Sequence, residues 1–257
     1  MYPDTLFLGL GLYEIMIALG FFAALLSYRV LADKENVPAD CQNTVLFSGV
    51  AAIILGYIAS VFVQALWNSL KTHTAFHIAK DTGATFFGGL LGGAAAFLLV
   101  YFTVGHFRLH GYHAAHFFDT ANLCAPSIVL AHAFGRLGCL FAGCCYGKPC
   151  EAWYCVWNEY LGYTVFPVQL VESLFLFALA AVLIYRRRKG GRYGIPAYMI
   201  AYGVFRFFIE YARGDDRGAS FFSFLSPSQM IAILLLLGAI PVILLERSDA
   251  NRKEKAA

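Results

Sequence analysis

Long apolar runs separated by short polar breaks dominate the chain. Seven such stretches cover roughly 5–28, 43–67, 84–105, 122–142, 166–185, 194–213 and 227–246. A bilayer core is about 30 Å thick, and a helix needs about 20 apolar residues to cross it. The runs are continuous, whereas the strands of a membrane β-barrel alternate apolar and polar residues in segments of about ten. The pattern predicts an all-α polytopic membrane protein with about seven transmembrane helices. They form one transmembrane helical domain over residues 1–257, with no separate soluble domain. The fourth stretch is the most interrupted, with Pro126 near its start and glycines filling its end.

Composition agrees with this reading. Of 257 residues, 60% are apolar and 14% charged, against roughly 25% charged in a soluble domain. A soluble globule needs more polar residues to cover its surface. The net charge of +3 is too small to point to a polyanion, so no nucleic-acid partner is expected. No repeat or low-complexity stretch is present. The first run lacks a basic leader and a small-residue cleavage site, so it is expected to be a retained helix.

Charge distribution matters more than its total, because Lys and Arg mark cytoplasmic loops. The first, third and fifth loops and the tail carry Arg29, Lys34, Arg108, Arg186, Arg187, Arg188, Lys189, Arg192, Arg247, Arg252, Lys253 and Lys255. The opposite side carries Lys71, Lys80, Lys148, Arg213 and Arg217. This asymmetry predicts the N-terminus outside and the C-terminus in the cytoplasm.

Ionisable residues inside a bilayer are costly and therefore informative. Glu14, Arg136, Glu172, Arg206 and Glu210 fall within the apolar runs, with Gln64, Gln169 and His132 beside them. In the sixth run, Tyr202, Arg206 and Glu210 recur every four residues and Arg213 follows three later. That spacing places all four on one helical face. The fourth run adds His132 and Arg136, one turn apart, among Gly135, Gly138, Gly143 and Gly147. Glycines permit close backbone approach or an irregular helix end, which membranes tolerate where a cavity is lined. Arginine's planar fork suits phosphate, so two intramembrane arginines fit a phospholipid headgroup. A structural ion-pair ladder is the competing account of Glu210 and Arg213.

Seven cysteines are present, five of them between 139 and 155. The set lacks the paired Cys-x-x-Cys of a zinc ribbon and paired histidines, so no metal site is expected. A disulfide involving Cys150 or Cys155 fits an outward-facing loop. Cys124 and Cys139 are expected as buried apolar thiols. His106, His110, His113 and His116 are expected to form a mostly solvated group at the interface.

The motifs come in a recognisable order. A Gly-Gly element occurs in the third run, GRLG with a following Gly-rich turn at 135–147, and PVQLVES at 167–173. The run ends with YGVFRFFIEYAR at 202–213. The chain resembles the prolipoprotein diacylglyceryl transferase family over most of residues 11–235. The resemblance implies a bacterial inner-membrane enzyme that moves diacylglyceryl from phosphatidylglycerol to a lipobox cysteine, releasing glycerol phosphate. It implies no cofactor, and its partners are phosphatidylglycerol, the prolipoprotein signal peptide and membrane lipids, with the enzyme expected as a monomer. It places Arg136 and Arg206 on the headgroup. Tyr13, Tyr202, Glu210 and Arg213 follow as substrate-binding residues, together with Gly88, Gly89, Gly135, Gly138 and Gly143.

Two departures stand out. The family pattern has His-Gly-Gly in the third run, where this chain has Phe87-Gly88-Gly89. The family's GN…NGE is here Gly138-Cys139 and Gly143-Cys144. His132, one turn from Arg136, is the substitute general base expected from position. The alternatives are a paralogue acting on another acceptor and a non-catalytic lipid-binding membrane protein.

Overall fold

The computed structural model describes residues 5–7, 10–72, 75–79, 82–83, 85–215 and 224–256. The chain runs through α1 (Leu12–Lys34), α2 (Ala39–Thr72), α3 (Phe86–Leu109), the short α4 (Tyr112–Ala115) and α5 (Phe117–Ala142). It continues through α6 (Val168–Arg188), α7 (Gly194–Ile209), a 3₁₀ turn (Glu210–Ala212) and α8 (Pro227–Ala256). Two small hairpins complete it, β1 (Thr5–Phe7) with β2 (Leu10–Gly11), and β3 (Val156–Asn158) with β4 (Tyr163–Val165). Among the described residues, six helices are long and apolar enough to cross a membrane. The protein is an all-α, multi-pass membrane protein.

Several element bounds differ from the hydropathy reading. The first helix starts at Leu12 because a hairpin precedes it. Glu14 therefore sits in its first turn, where it accepts the Gly11 amide at 2.9 Å; a carboxylate is stabilised there by unpaired helix N–H groups. The fifth helix starts earlier than expected, at Phe117, and carries Pro126 internally. The sixth apolar run yields a helix of only 16 residues, closed by the 3₁₀ turn. The last helix continues into polar sequence as far as Ala256.

The described fold divides into two compact units, residues 32–117 and residues 1–31 with 118–257. In the first, α2 and α3 pack through small residues. A Cβ on Gly56 would lie 3.0 Å from the Gly89 carbonyl oxygen and 3.1 Å from Gly93 Cα. A Cβ on Gly88 would lie 3.0 Å from the Ala59 carbonyl oxygen. Such contacts are the main source of helix association in lipid, where burying apolar surface adds little. Gly56→Leu is expected to destabilise this pair by about 1–3 kcal/mol, read as a lower melting temperature in detergent. His113 is buried here rather than solvated, with its ring against Tyr101 and Phe102. The Tyr101 hydroxyl donates to its carbonyl at 3.0 Å.

The second unit holds the polar interior. Its apolar core joins Ala125, Val129 and Ala133 of α5 to Leu176, Ala180 and Leu183 of α6, with Tyr202 of α7. The alanines recur every eight residues around Val129, which puts one narrow face of α5 against its neighbours. Ser173 donates to the Ala133 carbonyl across that contact at 2.9 Å. The start of α7 is held from outside its own sequence. The Asn122 side-chain carbonyl accepts the Gly194 amide at 2.5 Å, and Glu246 accepts the Tyr193 amide at 2.9 Å. Asn122 also donates to Glu246 at 2.5 Å. These bonds satisfy N–H groups that a helix leaves unpaired at its start. Beyond α5, Cys150 and Cys155 form a disulfide that leads into the β3–β4 hairpin.

Candidate functional site: a buried arginine network

Three helices bring ionisable groups together in the second unit. On α5, His132 and Arg136 face the same way, as their spacing requires. On α6, Gln169 and Glu172 lie in the first turns and are fully buried. Pro167 precedes that helix with a fixed φ and no donor to satisfy. On α7, Tyr198, Tyr202 and Arg206 form one stripe.

Arg136 Nε lies 3.0 Å from Glu172 Oε1. The Tyr202 hydroxyl donates to the same oxygen at 2.6 Å and accepts from Arg136 Nη2 at 3.3 Å. A closed triangle of guanidinium, carboxylate and phenol results. Nη2 makes the hydrogen bond, while Nε is paired with Glu172 by charge and has no hydrogen-bond partner among the described residues. His132 Nδ1 shares a hydrogen bond with the Tyr198 hydroxyl at 2.9 Å, and its ring meets Tyr202 edge-on at 4.6 Å. His132 Nε2 and Glu172 Oε2 are buried with no hydrogen-bond partner among the described residues.

A second cluster continues along α7. Arg206 Nη2 donates to Ser228 Oγ at 2.8 Å and lies 2.7 Å from Glu210 Oε2. Arg206 Nη1 is buried without a hydrogen-bond partner among the described residues. Glu210 Oε2 also lies 3.7 Å from Arg213 Nε, and Glu210 Oε1 accepts from Ser226 Oγ at 2.9 Å. Arg213 forks onto Asp215 at 2.9 and 2.6 Å. The ladder reading of Glu210 and Arg213 thus describes real contacts, and it leaves Arg206 with an unused edge.

Ser226 shows how the sequence builds this end. Its hydroxyl accepts the Gln229 amide at 3.2 Å, and the Gln229 side chain accepts the Ser226 amide at 3.0 Å. This reciprocal capping box starts α8, with Pro227 at the first helical position. The same start presents Ser226 to the Glu210 carboxylate in the 3₁₀ turn and Ser228 to the Arg206 guanidinium of α7.

The end of α5 is the third part. A Cβ on Gly138 would stand 3.2 Å from the Tyr13 ring, so glycine there permits the close approach. Gly143 and Cys145 both have positive φ, 72° and 61°, and fold the chain back past the helix end. The Sγ atoms of Cys139, Cys144 and Cys145 then lie within 4.8 Å of one another. Cys139 is therefore part of a thiol cluster rather than an isolated apolar thiol. The Cys144 thiol is pushed up to about 11: its hydrogen bond with Cys139 lowers it, and the bond with Cys145 and burial outweigh that. Gln169 Nε2 donates to the Cys144 carbonyl at 2.6 Å, and Asn158 Nδ2 to the Gly143 carbonyl at 3.0 Å. Gly135 has only Ile17 near its Cβ position, at 3.9 Å, and shows no special steric need.

Not every sequence expectation meets at this place. Gly88 and Gly89 belong to the other unit, where they pack on α2. The side chain of Phe87 and the residues Lys80 and Arg217 lie outside the described residues. Sequence reasoning missed Tyr198, Ser226, Ser228 and Asp215. Tyr198 was findable as the next four-residue step of the α7 stripe, and Ser226 as the start of a capping box. Arg136 with Glu172 was not findable, because nothing in either motif states which helices touch.

The fold and this interior define a class: a multi-pass membrane protein built around a buried, ion-paired arginine site. Within that class, the chain belongs to the prolipoprotein diacylglyceryl transferase family, whose model matches residues 5–245. It is 31% identical over 245 residues to a phosphatidylglycerol–prolipoprotein diacylglyceryl transferase of Clostridium tetani, covering 91% of this chain and 92% of the relative. It is 30% identical over 243 residues to the second such transferase of Clostridium perfringens, covering 89% and 88%. A Haemophilus influenzae relative of the same name is 28% identical over 241 residues, covering 90% and 85%. The family is one of transferases.

Proposed function

We propose that the protein transfers diacylglyceryl from phosphatidylglycerol to the lipobox cysteine thiol of a prolipoprotein. The observation that carries this is Arg206. Its guanidinium is fixed on one edge by Ser228 and Glu210, and its buried Nη1 has no hydrogen-bond partner among the described residues. A buried donor without a partner costs about 1–3 kcal/mol, and a lipid phosphate oxygen would satisfy it. Arg136, oriented by Glu172 and Tyr202, supplies further donors to the same anion.

In this reading the acceptor sulfur attacks carbon 3 of the diacylglyceryl group. The carbon–oxygen bond to phosphate breaks, and glycerol phosphate leaves with the electron pair. Arg136 and Arg206 stabilise the charge growing on that phosphate, and a low-dielectric interior strengthens the effect. His132 Nε2 takes the thiol proton. Tyr202 and Glu210 position the two arginines, Arg213 supports Glu210, and Tyr13 with Gly135, Gly138 and Gly143 shapes the approach to the helix end. Gly88 and Gly89 enter only through their packing on α2. We place the protein as a monomer in the bacterial inner membrane, with its N-terminus outside and both units in one membrane domain.

The test is incubation of the purified protein with phosphatidylglycerol and a lipobox peptide. The expected result is a peptide heavier by one diacylglyceryl group, with matching release of glycerol phosphate. Retention of phosphatidylglycerol with neither product would reject the transferase reading.

A further inference from the structure

The three thiols at the end of α5 have no part in the mechanism above. They are not a sequence neighbourhood alone. Cys139 lies on the last turns of a helix, and the chain must reverse through two left-handed residues to return Cys144 and Cys145 to it. One of those residues is Cys145 itself. A left-handed conformation is disfavoured for a non-glycine residue, so the convergence is held against a local preference. Nearby Cys150 and Cys155 are joined to each other, which leaves these three as thiols.

We propose that Cys139, Cys144 and Cys145 bind one zinc ion, and that the acceptor thiol takes its fourth position. The inference rests on the transfer reading above and deepens it. Tetrahedral zinc with sulfur at about 2.3 Å sets its ligands about 3.8 Å apart. The three Sγ atoms already lie within 4.8 Å of one another, so small side-chain rotations complete the site. Three protein ligands with one open position are the pattern of a reactive rather than a structural zinc site. The open side exists here, because Cys144 is exposed while Cys139 and Cys145 are half-buried. Three thiolates around a divalent ion leave one excess negative charge. Arg213 contacts Cys145, and Arg136 stands three residues before Cys139 on the same helix face, so cations offset it.

The chemistry follows from coordination. A thiol bound to zinc is deprotonated outright, and its proton passes to His132. The sulfur attacks diacylglyceryl carbon 3, one sulfur–carbon bond forms, one carbon–oxygen bond breaks, and glycerol phosphate carries away the electron pair. Zinc keeps its charge throughout. The product is a neutral thioether, a weaker ligand than a thiolate, so it leaves and the fourth position reopens. The site also sits beside Arg136, which places sulfur activation next to the phosphate.

The experiment uses full-length protein purified in detergent without chelator. Metal analysis is expected to find about one zinc ion per chain. Cys139→Ser and Cys144→Ser are expected to lose it, and Cys41→Ser, outside the cluster, to keep it. The wild-type protein, refilled with cobalt, is expected to show sulfur-to-cobalt absorption whose visible bands shift with a lipobox peptide and not with its Ser counterpart. That arm needs no variant to fold. No uptake of either metal, a peptide-insensitive cobalt spectrum, or a disulfide within the trio in native protein would each overturn the proposal. Full transfer activity after metal removal would also overturn it while leaving the transfer reading intact. A thiol-dependent cobalt shift in a protein that releases no glycerol phosphate would uphold the metal site and reject the transfer reading.

Discussion

Arg206→Ala is expected to slow diacylglyceryl transfer by about 10²–10³-fold, the loss typical of removing one preorganised donor to a developing oxyanion. The geometry explains why the loss falls on the rate. Ser228 at 2.8 Å and Glu210 at 2.7 Å fix the guanidinium before any lipid arrives. The charge on the phosphate oxygen grows only as the carbon–oxygen bond breaks, so kcat falls more than lipid affinity. The fold should survive, because Glu210 keeps Arg213 at 3.7 Å and the Ser226 hydroxyl at 2.9 Å. Arg206→Lys is not expected to rescue, since an ammonium cannot hold Ser228, Glu210 and a phosphate at once with fixed geometry. Release of glycerol phosphate under saturating lipid measures this. A folded Arg206→Ala protein with the wild-type rate would reject the assignment.

Glu172→Leu is expected to destabilise the protein by about 3–5 kcal/mol, the usual result of removing one member of a buried ion pair. Glu172 is fully buried, and Oε1 is the meeting point of Arg136 Nε at 3.0 Å and the Tyr202 hydroxyl at 2.6 Å. Its loss leaves a guanidinium without a counter-charge and a phenol without its acceptor. The paired change Glu172→Leu with Arg136→Met separates structure from function. Apolar replacement of a whole buried pair is often neutral, so melting in detergent should recover most of the loss. Transfer should not recover, because the phosphate has lost Arg136. A double variant that melts like Glu172→Leu alone would show that the pair does more than balance charge.

The α7 stripe was legible because helical spacing is arithmetic. Tyr202, Arg206 and Glu210 share a face in any straight helix, and burial of Tyr202 and Arg206 follows once that face turns inward. Long membrane helices were equally legible, since apolar length is a local property. Their ends were less so. Leu12 opens α1 because a hairpin consumes the preceding apolar residues, and hydropathy does not separate a short strand from the start of a helix. Partners across helices were not legible at all. Glu172 reaches Arg136 through the packing of small α5 residues on α6, which no single motif encodes. The thiol cluster was hidden for a related reason. The cysteines lack paired-ligand spacing along the chain, and it is two positive φ values past the helix end that bring three of the thiols together.

Ser226 carries a consequence for how the last helix behaves. One hydroxyl accepts the Gln229 amide that begins α8 and also donates to Glu210, the carboxylate of the arginine ladder. Entry into that membrane helix and the order of the arginines are thus the same event. Fraying of the first turn of α8 frees Glu210, and displacement of Glu210 removes a brace from the cap. The ladder and the helix start open and close as one cooperative piece. The arginine ladder therefore borrows its rigidity from the long apolar stretch of α8 that follows its cap.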